Sequence, residues 1–139
     1  MYYKNIDVVY QEVPNEVSLC LSFSGCPIRC VGCHSPELWS YKNSTKLTTD
    51  VLDSVINKYD GLISCVLFMG GDWEEDCIDM FQYIKDNYPS LKLCLYSGYD
   101  LIDQKYYHIL DYIKLGAYQQ ELGGLNSSTT NQKFITIQK

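Results

Sequence analysis

Three cysteines crowd one short loop, Cys26-Pro27-Ile28-Arg29-Cys30-Val31-Gly32-Cys33-His34, at a C-x3-C-x2-C spacing, and the rest of the chain has to hold that loop. The number three is informative. A structural zinc takes four soft ligands, commonly as two separated C-x2-C pairs, and a cubane iron-sulfur cluster in an electron carrier also takes four thiolates. Three thiolates on a cubane leave one iron without a protein ligand. An open metal position binds a reactant, whereas a closed one only holds the fold together. The spacing therefore points to chemistry at the loop.

Two plainer uses of the same residues compete with that reading. His34 beside Cys33 would complete a Cys3His zinc set, but ligands at adjacent positions strain a tetrahedron, and no second C-x2-C pair is present. A disulfide framework fits poorly with 7 cysteines, an odd number. The first residues, Met1-Tyr2-Tyr3-Lys4-Asn5, lack the apolar stretch of a secretory signal. The expectation is cytoplasmic residence, where thiols stay reduced.

With 139 residues the chain is expected to form one domain, residues 1–139, large enough for a real core. No apolar run is long enough to span a bilayer. The formal charge of -6 argues against direct nucleic-acid binding, which depends on basic side chains neutralising phosphates. The 13 tyrosines suit either a protein-docking surface or a simple compositional bias.

Along the chain, Ile6–Tyr10 alternates loosely as a short strand, and Val17–Phe23 alternates strictly. Val17, Leu19, Leu21 and Phe23 fall on one face of it, and Ser18, Cys20 and Ser22 on the other. Cys20 reads as a strand thiol and not as a fourth ligand. Residues 41–46 read as a surface connection. A helix opens at Thr48 or Thr49 and runs with Val51, Leu52, Val55, Ile56 and Tyr59 on one stripe until Asp60-Gly61 stops it.

The run Ile63–Met69 is nearly continuous in apolar residues, as expected of a strand buried on both faces, and it ends in Gly70-Gly71-Asp72. A second helix is predicted from Glu74 to Asn87, with Cys77 and Met80 as packing residues. Leu91–Tyr96 is a further strand ending in Ser97-Gly98-Tyr99. A short helix around Tyr106, Ile109 and Leu110 follows, with His108 in no ligand role. Asp111–Tyr118 is then a strand leading into a loop, and Phe134–Ile137 is strand-like. Strands alternating with helices make a parallel sheet, whose sites lie at the strand C-terminal ends. The expected class is α/β, an open partial (β/α) barrel with about four or five parallel strands plus short flanking strands. A closed eight-stranded barrel needs roughly 250 residues.

The cysteine loop resembles the signature of the radical S-adenosylmethionine (SAM) superfamily, and Cys26 to Trp39 is similar to the glycyl-radical activating enzymes. Gly70-Gly71-Asp72 resembles the superfamily's Gly-Gly-Glu motif, with Asp in place of Glu and Trp73 where Pro is frequent. Ser97-Gly98 resembles the Ser-Gly or Thr-Gly segments of the activases. The polar segment 125–132 is similar to the terminal segment of the activating proteins of anaerobic (class III) ribonucleoside-triphosphate reductases. Leu115 stands where that family has an acidic residue, and Gly32 where the superfamily usually has an aromatic one.

The resemblance implies a [4Fe-4S] cluster on Cys26, Cys30 and Cys33, with SAM on the open iron. Gly32, Cys33, His34, Gly70, Gly71, Asp72 and Ser97 would position SAM. It further implies reductive SAM cleavage, and hydrogen abstraction from a glycine in the reductase large subunit. The electron would come from a low-potential donor such as flavodoxin or ferredoxin. Activation of another glycyl-radical enzyme, radical chemistry on a small molecule, and a non-enzymatic zinc or iron-sulfur module are the alternatives.

Overall fold

The computed structural model describes residues 1–25, 43–116 and 132–137. The expected sites Cys26, Cys30, Gly32, Cys33 and His34 lie outside the described residues, as does the polar segment up to Asn131. Among the described residues seven strands form one sheet: β1 (Tyr2–Val9), β2 (Ser18–Phe23), β3 (Thr45–Lys46), β4 (Cys65–Met69), β5 (Lys92–Tyr96), β6 (Tyr112–Leu115) and β7 (Lys133–Thr136). The described helices are α1 (Thr49–Lys58), α2 (Cys77–Asn87) and α3 (Lys105–Ile109). The strand order is β3-β1-β2-β4-β5-β6-β7.

β2, β4, β5 and β6 run parallel, with α1, α2 and α3 in the successive connections. A parallel neighbour requires a long crossover, and each connection supplies one with a helix in it. The outer strands correct the expectation of an essentially parallel sheet. β1 pairs antiparallel with β2 and with β3, and β7 pairs antiparallel with β6. The turn between β1 and β2 is too short for a crossover, so the two strands meet as a hairpin. The sheet is therefore mixed, a parallel centre with antiparallel flanks.

Three local corrections also apply. β1 begins at Tyr2, four residues before the predicted start, because its early backbone is paired: Leu47 N–H donates to Met1 O and Ser24 N–H to Tyr2 O, both at 2.8 Å. Thr45–Lys46, read as part of a surface connection, forms β3 against Tyr2 and Tyr3. Helix α2 starts at Cys77, three residues after the predicted Glu74. The chain before it is held by tighter i to i+3 bonds, Glu74 N–H to Gly71 O at 3.0 Å and Cys77 N–H to Glu74 O at 3.3 Å.

The predicted face of β2 is the one that packs. Leu19, Leu21 and Phe23 join Val66 and Phe68 of β4 and Leu93 and Leu95 of β5 in the main core, which Leu52 and Ile56 of α1 and Phe81 and Ile84 of α2 cover. The rings run in series: Phe23 and Phe68 meet edge-on at 4.8 Å, Phe68 and Phe81 stack at 4.2 Å, and Phe81 meets Tyr106 at 6.4 Å. On the opposite face Cys20, Cys65, Leu67 and Cys94 pack with Val13, Tyr96, Tyr112 and Phe134. Strands β4 and β5 are thus buried on both sides, which is why they read as continuous apolar runs.

Helix α1 is capped as its sequence predicts. Thr48 adopts an extended backbone, and its hydroxyl accepts from Val51 N–H at 3.2 Å. Asp53 on α1 accepts from the hydroxyls of Tyr83 at 2.8 Å and Tyr88 at 2.6 Å, tying α1 to α2. Among the described residues no helix is long and apolar enough to cross a membrane.

Candidate functional site

The C-terminal ends of the four parallel strands share one edge of the sheet, and each ends in a constrained turn. At the end of β2 comes Ser24, buried, and then Gly25 with φ of +85°. The Ser24 hydroxyl is hydrogen-bonded to that of Ser44. The contact brings the described residues on either side of 26–42 together at the end of β2. Sequence reasoning missed this pairing, since two isolated serines 20 positions apart carry no motif.

At the end of β4, Gly70 and Gly71 both have positive φ, +82° and +92°. A Cβ on Gly70 would stand 2.6 Å from Cη2 of Trp73. One on Gly71 would stand 2.6 Å from Cε of Met1 and 3.0 Å from Cδ2 of Phe23. Neither position admits a side chain without movement. The Gly70 N–H donates to Tyr96 O at 2.9 Å, fixing the turn to β5.

Asp72 follows immediately. Its Oδ2 accepts a 2.6 Å hydrogen bond from the Ser97 hydroxyl, while Oδ1 is buried with no partner among the described residues. Burial pushes the Asp72 carboxyl above its ordinary value, and the bond from Ser97 pulls it back. The indole Nε1 of Trp73 is likewise buried with no partner among the described residues.

Ser97, at the end of β5, is fully buried. Its N–H donates to Lys114 O at 2.8 Å, and its hydroxyl oxygen accepts from Tyr99 N–H at 3.1 Å. At the end of β6, Gly116 has φ of +103° and its N–H donates to Tyr99 O at 2.9 Å. Leu115, which stands where the activases have an acid, is buried in the main core and supplies no charge to this edge. Gly70, Gly71, Asp72 and Ser97 are thus brought together by adjacent strands. A cleft of about 310 Å³ opens beside them, between the turns at 72–75 and 99–106, with Trp73, Tyr99 and Tyr106 among its walls.

The other cysteines are chemically quiet. Cys20, Cys65, Cys77 and Cys94 are buried free thiols. Burial pushes Cys20, Cys65 and Cys77 up to about 12, and Cys94 is raised for the same reason. Metals and clusters take thiolates, which these sites disfavour. Among the described residues no group of three or more His, Cys, Asp or Glu side chains is placed to hold a metal ion. The remaining three of the 7 cysteines, Cys26, Cys30 and Cys33, lie outside the described residues.

Comparison with known proteins points to an iron-sulfur family. The model of a family described as a 4Fe-4S single cluster domain matches residues 16–133. The chain is also similar to the anaerobic ribonucleoside-triphosphate reductase-activating protein of Enterobacteria phage T4, at 23% identity over 73% of this chain and 71% of the phage protein. No solved structure matches significantly. The resemblance drawn from the cysteine loop therefore has support both in a cluster-binding family and in an activating protein.

Proposed function

Because this chain belongs to the 4Fe-4S single cluster domain family, we propose that it is a radical SAM activase that places a glycyl radical on an anaerobic ribonucleoside-triphosphate reductase. The observation that carries the reading is the shared sheet edge. The Gly70-Gly71-Asp72 turn, Ser97 and the contact between Ser24 and Ser44 all lie at the C-terminal ends of neighbouring parallel strands. In open α/β sheets ligands bind at that edge.

The residues present fit the group. Cys26, Cys30 and Cys33 would ligate three irons of a [4Fe-4S] cluster, the fourth being left for SAM. Gly70 and Gly71 let Trp73, Met1 and Phe23 pack against the turn that carries Asp72. Oδ1 of Asp72, with no partner among the described residues, is an acceptor suited to the SAM ammonium. Gly32 and His34, flanking Cys33, complete the proposed SAM contacts. When bound, cluster and SAM would supply one-electron reductive chemistry capable of abstracting a hydrogen atom from a glycine Cα of the reductase.

The protein's own contribution is positional. The turn at Gly70 is pinned to β5 through Tyr96 O, and that at Ser97 to β6 through Lys114 O, so the strand ends move together. No general base is required for hydrogen-atom abstraction. The four parallel strands are read as the open partial barrel of the radical SAM fold, within a single domain, whose open side suits a macromolecular substrate. A low-potential donor such as flavodoxin or ferredoxin would supply the electron in the cytoplasm. The name of the phage relative supports the choice of reductase.

The test is anaerobic incubation of the reconstituted, reduced protein with SAM and a class III reductase, followed by electron paramagnetic resonance. A glycyl-radical doublet on the reductase is expected. Its absence, when SAM is nevertheless cleaved, would transfer the reading to another glycyl-radical enzyme or to a small-molecule substrate.

A further inference from the structure

Ser97 and Asp72 are 25 positions apart and sit on the turns after two adjacent strands. A serine hydroxyl has one proton to donate. Here that proton goes to Asp72 Oδ2 at 2.6 Å, and the same oxygen accepts from Tyr99 N–H at 3.1 Å. The hydroxyl is therefore engaged on both sides within the protein, and the residue is fully buried. Asp72 is in the opposite condition: one carboxylate oxygen is held by Ser97, and the other is buried with no donor among the described residues. A buried acceptor without a donor is costly, and a ligand that brings one relieves the cost.

We infer that Ser97 is a positioning residue: it does not donate to the ligand, but fixes the Asp72 carboxylate so that Oδ1 is presented to an ammonium group on the ligand. The ligand's identity as SAM rests on the activase reading; the link between Ser97 and Asp72 does not. Tyr99 extends the device. Its backbone N–H holds the serine oxygen and its carbonyl accepts from Gly116 N–H, so the turns after β4, β5 and β6 are joined through this hydroxyl.

The ionisable groups around Asp72 do not replace this role. Cys77 of α2 and Tyr106 of α3 are both raised chiefly by burial, with the Asp72 charge adding to the effect, and both are uncharged near neutrality. The cleft's remaining charged groups are Glu74, Glu75, Asp103 and Lys105. What disfavours the ionised form of Asp72 is its burial. The Ser97 hydrogen bond is the side-chain contact that favours it.

The experiment uses the full chain and two readouts. In the first, the Asp72 carboxyl is titrated by carbon-13 NMR in wild type, Ser97→Ala and Ser97→Thr. Hydrogen bonds to charged groups have a size that corresponds to about one pH unit, so Ser97→Ala is expected to raise the midpoint by about that much, and Ser97→Thr to restore it. An unchanged Asp72 midpoint in Ser97→Ala overturns the inference. In the second, SAM affinity of the unreduced, cluster-loaded protein is followed against pH by equilibrium dialysis. Affinity is expected to fall as pH drops through the Asp72 midpoint, and to fall at a correspondingly higher pH in Ser97→Ala. A uniform loss of affinity with the pH limb unmoved would make Ser97 a direct contact, and also overturns the inference. If wild type binds no SAM while the Asp72 midpoint still moves in Ser97→Ala, the positioning link stands and the activase reading fails.

Discussion

The indole of Trp73 fills the space that a side chain on Gly70 would need, with Cη2 only 2.6 Å from the position of a Cβ there. The two residues belong together. After Asp72 this chain has a large ring that packs on a glycine three positions earlier. Gly70 also has φ of +82°, a conformation that costs an L-residue about 1–2 kcal/mol. Gly70→Ala is therefore expected to destabilise the protein by more than that backbone cost alone. Adding Trp73→Ala should recover the steric part and leave the backbone part. Chemical denaturation of the two single variants and the double variant measures both, and additive effects would show that the ring and the glycine are not coupled.

Asp53 makes a second test available through pH. Its carboxylate accepts from Tyr88, whose hydroxyl is pushed up to about 12, chiefly by that hydrogen bond, and from Tyr83, which is raised for the same leading cause. A folded-state value above the unfolded one of about 10 means that the contribution is complete below pH 10 and disappears as pH rises through the folded value. Stability should thus decline between about pH 10 and 12 more steeply in wild type than in Asp53→Ala. Ultraviolet titration of tyrosinate should show two phenols ionising late in wild type and earlier in the variant; identical titrations would contradict the contact.

Alkylation separates the two classes of cysteine. At pH 8 the thiolate fraction at Cys20, Cys65 and Cys77 is negligible when their values lie near 12, and Cys94 is raised as well. Iodoacetamide on the folded, cluster-free protein should leave all four unmodified by mass spectrometry and modify them only after unfolding. Rapid native-state labelling of Cys20 would reopen its exclusion as a ligand.

Phe68 is the hub of the ring series, lying against both Phe23 and Phe81. Truncation to Ala should cost about 3–5 kcal/mol in denaturant melts, as expected for a fully buried Phe. A loss below about 1 kcal/mol would mean that the site collapses around the gap.

What the sequence disclosed followed from local pattern. The alternation of Leu19, Leu21 and Phe23, the apolar run through Val66 to Phe68 and the Thr48 cap all reported their own environment, and the structure has each of them as expected. The glycines at 70 and 71 were legible as a turn because the strand before them was so plainly buried. The antiparallel flanks were not, since pairing direction depends on connection length and on partners remote in sequence. Thr45–Lys46 had no strand pattern at all and is a strand only because Tyr2 and Tyr3 lie beside it. The bond from Ser97 to Asp72 was similarly hidden. Each residue was recognisable as a candidate contact, but that one engages the other is a property of adjacent strand ends.

The central claim, that a cluster on Cys26, Cys30 and Cys33 cleaves SAM, is tested most directly by product analysis. The protein is reconstituted with iron and sulfide without oxygen, reduced, and incubated with SAM, beside a Cys30→Ala variant. The account predicts 5'-deoxyadenosine and methionine from wild type and none from the variant. A complete, reducible [4Fe-4S] cluster that yields no 5'-deoxyadenosine, even with a class III reductase present, would contradict it.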